Sequence, residues 1–293
     1  MTFAEKLKSF RKQAKMSQEK LSEKLGVSRQ AVTKWETGLG IPEIENIRAI
    51  SELFEISIDE LLSDELEVKK EKDYLFESIT EYDIDSIKHY DIKLIGAYKI
   101  ILTGYSGEKI YVRFASNTLA DIEKDLKLKI DDGKYNIDLD VNYFNQTTKA
   151  LTKEDLAIFI KLPEKYIEGI ELAAAANTVE FHSLNCEQIE FDGKTENILL
   201  DKVNAKVKLN CNIDMNIVCK TLNGNLKINQ LFATSRLSVP EGVSFSVKKG
   251  GIGNSLLYEK EGKYVSPFGD EDSENIIELN GMKSELIISK SLK

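Results

Sequence analysis

The chain has 293 residues, more than one domain commonly takes, so at least two are expected. Ordinary apolar content and abundant charge exclude a disordered chain, and no apolar run approaches the ~20 residues that span a bilayer. The opening MTFAEKLKSF lacks the apolar core of a signal peptide, and the two absences together predict a cytoplasmic protein with no membrane partner. The net charge of −9 argues at first against a polyanionic partner, but it is unevenly spread. Residues 1–40 carry nine Lys/Arg against four Glu, a net +5, whereas residues 41–70 carry three Lys/Arg against nine Asp/Glu, a net −6. The basic block is the part suited to phosphates. Cys186, Cys211 and Cys219 form no CxxC pair and read as buried, reduced thiols. His89 and His182 are far apart in sequence, so a zinc site built from His and Cys is not expected, nor is any cofactor.

Helix signals crowd the first 65 residues. Thr2 and Glu5 have capping-box spacing and open a helix running to about Ala14. Ser17 caps a second helix, and Gly26 fits just past its end. Ser28 caps a third, which Gly38 ends, with Val27 and Val32 spaced as a hydrophobic staple. Pro42 marks the start of a fourth helix through about Phe54, and Ser57 with Glu60 opens a short fifth ending near Leu62. The expected core is Leu7, Leu21, Leu25, Val32, Trp35, Ile47, Ile50, Phe54, Ile58, Leu61 and Leu62.

The stretch SQEKLSEKLGVSRQAVTKWETG resembles the helix-turn-helix of the XRE/Cro family of prokaryotic DNA-binding domains. Gln18, Leu21, Gly26, Val32 and Trp35 stand at that family's spacing, and ISIDELL resembles its closing helix. Ser22 departs from the usual Ala where the two helices touch, but it is small enough to fit. The resemblance implies that the third helix enters the major groove of double-stranded DNA, with Arg29, Gln30 and Lys34 at base edges beside Ser28 and Thr33, and Gln18 at a phosphate. It implies a bacterial transcriptional regulator, and because no GxSxG, Walker loop, HExxH or Ser-Lys self-cleavage arrangement occurs, no enzymatic activity is expected.

The charged run Ser63–Asp73 reads as a solvated helix or linker. Beyond about Lys93, segments such as KLIGAYKIILTGY and EKIYVRFAS alternate apolar and polar residues as half-buried strands do. From Ile170 the strands TVEFH, QIEF, NILL, KVKL, MNIV, NLKI and SRLSV recur at intervals of ~9–10 residues, with Asn frequent in the gaps. This predicts a parallel β-solenoid with about two strands per rung, the alternative being a β-sandwich. LPEKYIEGIELAAAANTVEF, the repeats and LSVPEGVSFSVKKG are together similar to adhesin-like β-solenoid domains of unknown function. The expected organisation is an α + β multidomain chain: a five-helix DNA-binding domain over 1–65, a linker over 66–92, and an all-β domain over 93–293. The β domain is expected to dimerise the chain or sense an unidentified effector. A ligand-binding or scaffold protein, whose β domain carries the main activity, is the other reading. The Gly-rich KKGGIGNS lacks a Walker Lys-Ser/Thr ending and reads as a loop, and Asp192 and Asp201 read as solvated turn carboxylates.

Overall fold

The computed structural model describes residues 3–14, 16–38, 40–54, 56, 58, 74–143 and 152–291. The chain divides into two compact units, Met1–Tyr74 and Leu75–Lys293.

The first unit holds helices α1 (Phe3–Gln13), α2 (Gln18–Leu25), α3 (Arg29–Glu36) and α4 (Ile44–Phe54). Their ends are set by local chemistry. Ser17 Oγ accepts from the Lys20 backbone N–H at 3.0 Å, satisfying a donor that α2 itself leaves orphaned. Gly26 then turns left-handed at φ +67°, where a side chain would be strained, and the chain leaves α2. Ser28 Oγ repeats the cap for α3, accepting from Ala31 N at 3.1 Å. Gly38, at φ +72°, lies just beyond α3. Pro42 does not start α4. It is buried in the preceding connection, and the helix begins two residues later. The Thr2–Glu5 and Ser57–Glu60 capping boxes, the fifth helix and the core positions Leu61 and Leu62 lie outside the described residues and side chains.

Phe3, Leu7, Leu21, Val32, Trp35, Ile47 and Ile50 form the buried core, with Leu25, Val27, Phe54 and Ile58 packed against it. Phe3 and Phe10 were not expected there. Phe10 stacks on Phe54 with ring centroids 5.9 Å apart, so α1 and α4 share an aromatic contact. Ile41 and Ile44 lie outside this core, 61% and 65% exposed.

Among its described residues the second unit consists of strands and their connections, apart from short helical turns. In chain order its strands are β1 (Phe76–Asp83), β2 (Lys88–Lys93), β3 (Ala97–Tyr105), β4 (Lys109–Ser116), β5 (Leu126–Asp132), β6 (Asn136–Tyr143), β7 (Ala157–Pro163), β8 (Ile167–His182) and β9 (Asn185–Asp201). There follow β10 (Asn204–Cys211), β11 (Asn216–Cys219), β12 (Leu226–Leu231), β13 (Thr234–Pro240), β14 (Ser246–Lys249), β15 (Ser255–Lys260), β16 (Lys263–Tyr264), β17 (Ile276–Met282) and β18 (Glu285–Ser291).

Two parallel ladders organise them. One runs β6, β2, β8, β9, β10, β12, β17, β14. The other runs β7, β3, β8, β9, β11, β13, β18, β15. The register stacks one apolar residue on the next. Ile92, Leu172, Phe191, Leu209, Ile228 and Leu279 make a buried column in the first ladder. Ile100, Val179, Ile198, Ile217, Leu237 and Ile288 make its counterpart in the second. Each such side chain contributes about 1.5–3 kcal/mol by leaving water.

The frequent asparagines stack in the same way. Asn204 Nδ2 donates to Asn185 Oδ1 at 2.8 Å, and Asn229 Nδ2 to Asn210 Oδ1 at 2.7 Å. Each satisfies a polar group on the neighbouring strand that the ladder's backbone bonds leave open.

Three expectations need correction. Of the residues assigned to a linker, 76–83 form β1 and 88–92 lie in β2, and the unit starts at Leu75. Apart from the buried Lys88, the charge of β2 is carried on its less buried positions while Tyr90 and Ile92 are buried, so high polarity concealed a regular strand. Segments read as separate strands are joined into β8 and β9, of 16 and 17 residues. Small residues make those long strands possible: a Cβ on Gly193 would lie 1.7 Å from Ala174 O, so only glycine admits that close approach. Finally, pairing is not parallel throughout. β1 with β4, β4 with β7, and β5 with β6 are antiparallel.

The cysteines are unpaired, with Cys211 and Cys219 buried and Cys186 half-buried. Burial pushes the Cys219 thiol up to about 12 and that of Cys186 to about 11, so neither is a ready nucleophile at neutral pH. Among the described residues, no helix is long and apolar enough to cross a membrane.

Candidate nucleic-acid interface

The inner and outer faces of α3 are chemically distinct. Val32, Trp35 and Glu36 are buried, whereas Ser28, Arg29, Gln30, Thr33 and Lys34 are all exposed. The 3.6-residue period of the helix produces this split from the RQAVTKWE sequence. Arg29 and Gln30 occupy the first turn, where the helix is entered from a capped end. A guanidinium and a carboxamide there can each make paired hydrogen bonds to a purine edge.

The structure gives two of these residues a second duty. Ser28 Oγ is the α3 cap, so one of its two lone pairs is already committed to the Ala31 N–H. Thr33 Oγ1 lies 3.0 Å from Arg29 O and 3.2 Å from Gln18 Oε1. Gln18 is half-buried rather than facing outward. Its Nε2 donates to Glu36 Oε2 at 2.8 Å, and its Oε1 accepts from Thr33. Both ends of the side chain therefore bind protein, and the start of α2 is tied to the body of α3.

Glu36 is the residue that sequence reasoning missed, together with Arg11. Arg11 Nη2 donates to Glu36 Oε2 at 2.9 Å, its Nε pairs with Oε1, and its Nη1 donates to Met16 O at 2.8 Å. The Glu36 side chain is 1% exposed and that of Arg11 11%. Burial alone would raise the Glu36 carboxyl, but hydrogen bonds from Arg11 and Gln18 and the Arg11 charge outweigh it and hold it below the ordinary value. One signal was present in the sequence. Arg11 follows Leu7 by four positions, and Glu36 follows Val32 by four, so both charges lie on inward stripes.

Ser22, the departure at the contact of α2 with α3, is buried, and its hydroxyl donates to Glu19 O at 2.7 Å. The position accepts Ser because that hydroxyl is satisfied within its own helix.

Fold and site define the first unit as a helix-turn-helix domain, and residues 7–61 match the family model described as Helix-turn-helix. Two similar proteins are the HTH-type transcriptional activator BcrR of Enterococcus faecalis, 49% identical over 65 residues, and the uncharacterised HTH-type transcriptional regulator YqaE of Bacillus subtilis, 40% identical over 63 residues. Each alignment covers 22% of this chain, and the chain spans 32% and 54% of those relatives' own lengths. A solved structure from Clostridium sporogenes, described as a candidate cell adhesion protein, covers 74% of this chain and all of its own at 14% identity, with a TM-score of 0.36.

Proposed function

We propose that this protein binds specific DNA sequences and regulates transcription, with α3 in the major groove. The observation that carries the reading is the division of α3: all five candidate base-contact residues are exposed, while Val32, Trp35 and Glu36 fix the helix from behind. Arg29, Gln30 and Lys34 are the base-reading residues, with Ser28 and Thr33 completing the edge. Gln18 reaches phosphate through the backbone at the positive end of α2, its side chain being the strut that holds α3. The relatives named as transcriptional regulators support the same reading of the domain.

In this reading the parallel ladders of the second unit are rungs of a solenoid. Glu171 of β8 pairs with Glu190 of β9, nineteen residues on, and Lys208 of β10 with Lys227 of β12, again nineteen on, so a turn is one long strand at β8 and at β9 and two strands, β10 and β11, beyond them. The unit serves to join two chains or to sense an effector.

Selection of bound sequences from a random DNA pool, followed by gel-shift titration at two salt concentrations, tests the proposal. A recovered motif bound at least ~10³-fold more tightly than random DNA is the expected result. Weak binding to all sequences alike, with steep salt dependence, would leave only non-specific phosphate contact. In that event the second unit becomes the candidate for the main activity, as a ligand-binding or scaffold module.

A further inference from the structure

The outward-facing carboxylates of the first ladder differ in their partners, and two of them meet a lysine. Glu190 pairs with Lys208 at 2.6 Å and Glu278 with Lys227 at 3.1 Å. Asp91 on β2 and Glu171 on β8 stand opposite each other in the register without such a partner. Among the described residues, their only ion-pair neighbour is His89, whose Nε2 lies 3.7 Å from Asp91 Oδ1 and 3.7 Å from Glu171 Oε1. One donor atom from each residue falls within 4.8 Å of the other two.

Two features hold this arrangement. The residue opposite His89 in the register is Gly169. A Cβ there would sit 2.9 Å from His89 Nδ1 and 3.1 Å from Cε1, so the glycine leaves the space that the imidazole occupies. Glycine inside a strand weakens it, and no left-handed φ requires one at this position. The fit of the ring is the physical reason present. On the other side, Asn136 Nδ2 donates to Asp91 Oδ2 at 3.1 Å, which fixes that carboxylate and leaves Oδ1 turned to the imidazole. Asp91 and Glu171 also line a hollow of about 190 Å³, room for water molecules beside them.

The chain's other histidine provides the contrast. His182 likewise meets two carboxylates, Glu180 at 2.8 Å and Asp201 at 3.6 Å. There, however, Lys99 neutralises Glu180 at 2.7 Å and Lys220 neutralises Asp201 at 3.1 Å. The His89 cluster has the same donors without the lysines, leaving two negative charges for a cation.

We propose that His89, Asp91 and Glu171 form a binding site for a divalent transition-metal ion, completed by water from the hollow. An imidazole nitrogen with two carboxylate oxygens suits Zn²⁺, Mn²⁺ or Fe²⁺, whereas Ca²⁺ and Mg²⁺ favour oxygen alone. Bonds of about 2.0–2.2 Å to one ion need the donors slightly closer than 3.7 Å, a change that side-chain rotation supplies. The site is independent of whether the first unit reads DNA.

The test uses the full chain, stripped with a chelator, and titrates Zn²⁺, Mn²⁺, Mg²⁺ and Ca²⁺ separately by calorimetry. One saturable equivalent of Zn²⁺ or Mn²⁺ per chain is expected, with Mg²⁺ and Ca²⁺ at least tenfold weaker. His89→Ala and Glu171→Gln should each lower affinity tenfold or more, while His182→Ala leaves it unchanged. The visible spectrum of Co²⁺ bound to the unsubstituted chain gives a readout that no variant's folding can confuse, and should show a nitrogen-ligated ion. Absence of saturable binding, equal binding of Mg²⁺ and Zn²⁺, or binding indifferent to His89→Ala would each overturn the proposal.

Discussion

Glu36, the last residue of α3, accepts a hydrogen bond from Gln18, the first residue of α2, while its carboxylate is paired with Arg11 of α1. One buried side chain therefore links three helices. A helix placed to read DNA must hold its orientation within a fraction of an ångström for paired hydrogen bonds to form. Apolar contacts from Leu21, Val32 and Trp35 set the packing, and the directional bonds of Glu36 add the angle.

Removing Arg11 should therefore destabilise the first unit more than an exposed ion pair would suggest. Arg11→Ala leaves the Glu36 carboxylate buried without its cation, at a cost of about 3 kcal/mol. Arg11→Lys should recover only part, because an ammonium cannot make the two-pronged contact. Urea unfolding of the first unit measures both. The pH dependence carries a definite sign. Glu36 is held below its unfolded value of 4.5, so the stability it contributes is fully present above that pH and is lost as pH falls through the folded value. Glu36→Gln should flatten the dependence in that acid window.

Arg29→Ala is expected to leave stability unchanged, since Arg29 is exposed and caps nothing. Specific DNA binding should weaken by about 1–3 kcal/mol, with preference relaxed at one base pair. Binding measured on the selected sequence and on random DNA distinguishes the roles. Equal losses on both would make Arg29 a phosphate contact.

The extent to which the site was legible in the sequence follows the range of the interactions. Ser17, Gly26 and Ser28 act within four residues of themselves, so their caps could be read from spacing alone. Arg11 and Glu36 are 25 residues apart, and each alone resembles an ordinary solvated helix charge. Gln18 was placed correctly at the start of α2, but its side chain is committed to Glu36 and Thr33, which no local pattern reveals. In the second unit the short repeats exposed the ladders. The extent of β8 stayed hidden because the run Ala173–Ala176 lacks the alternating contrast that marks a strand. The His89 cluster depends on a neighbour 82 positions away and is visible only in the register.

Glu180 offers a test of the second unit. Burial pushes its carboxyl up, but hydrogen bonds from His182 and Lys99 overcome that and bring it down to about 2. The depressed value means that its contribution is complete above about pH 4.5 and disappears as pH falls toward 2. The magnitude is on the order of 3 kcal/mol. Glu180→Gln should lower the melting temperature of the second unit at pH 7 and bring it close to the unsubstituted protein at pH 2. A substitution effect of equal size at both pH values would mean that shape, not charge, sets the role of this side chain.

Residues 1–74 alone should fold as a monomer and bind the selected DNA at least tenfold more weakly than the full chain. The unit has its own buried core from Phe3 to Ile50, which supports independent folding. One helix-turn-helix reads about half of a two-fold site, and joining two readers raises affinity by effective concentration without new base contacts. The joining surface is assigned to the second unit. There, among the described residues, β5 pairs only with β6 and β14 only with β17, so sheet edges remain for another chain to cover. The competing surface is the exposed pair Ile41 and Ile44. Two isoleucines fall well short of the ~1,200 Å² that a stable interface buries, so they should not hold the isolated unit together at micromolar concentration. Sedimentation of both proteins, with DNA titration at fixed salt, decides between the surfaces. A dimeric 1–74 with full affinity, made monomeric by Ile44→Ser, would move the dimer contact to the first unit and leave the second as a sensor or scaffold.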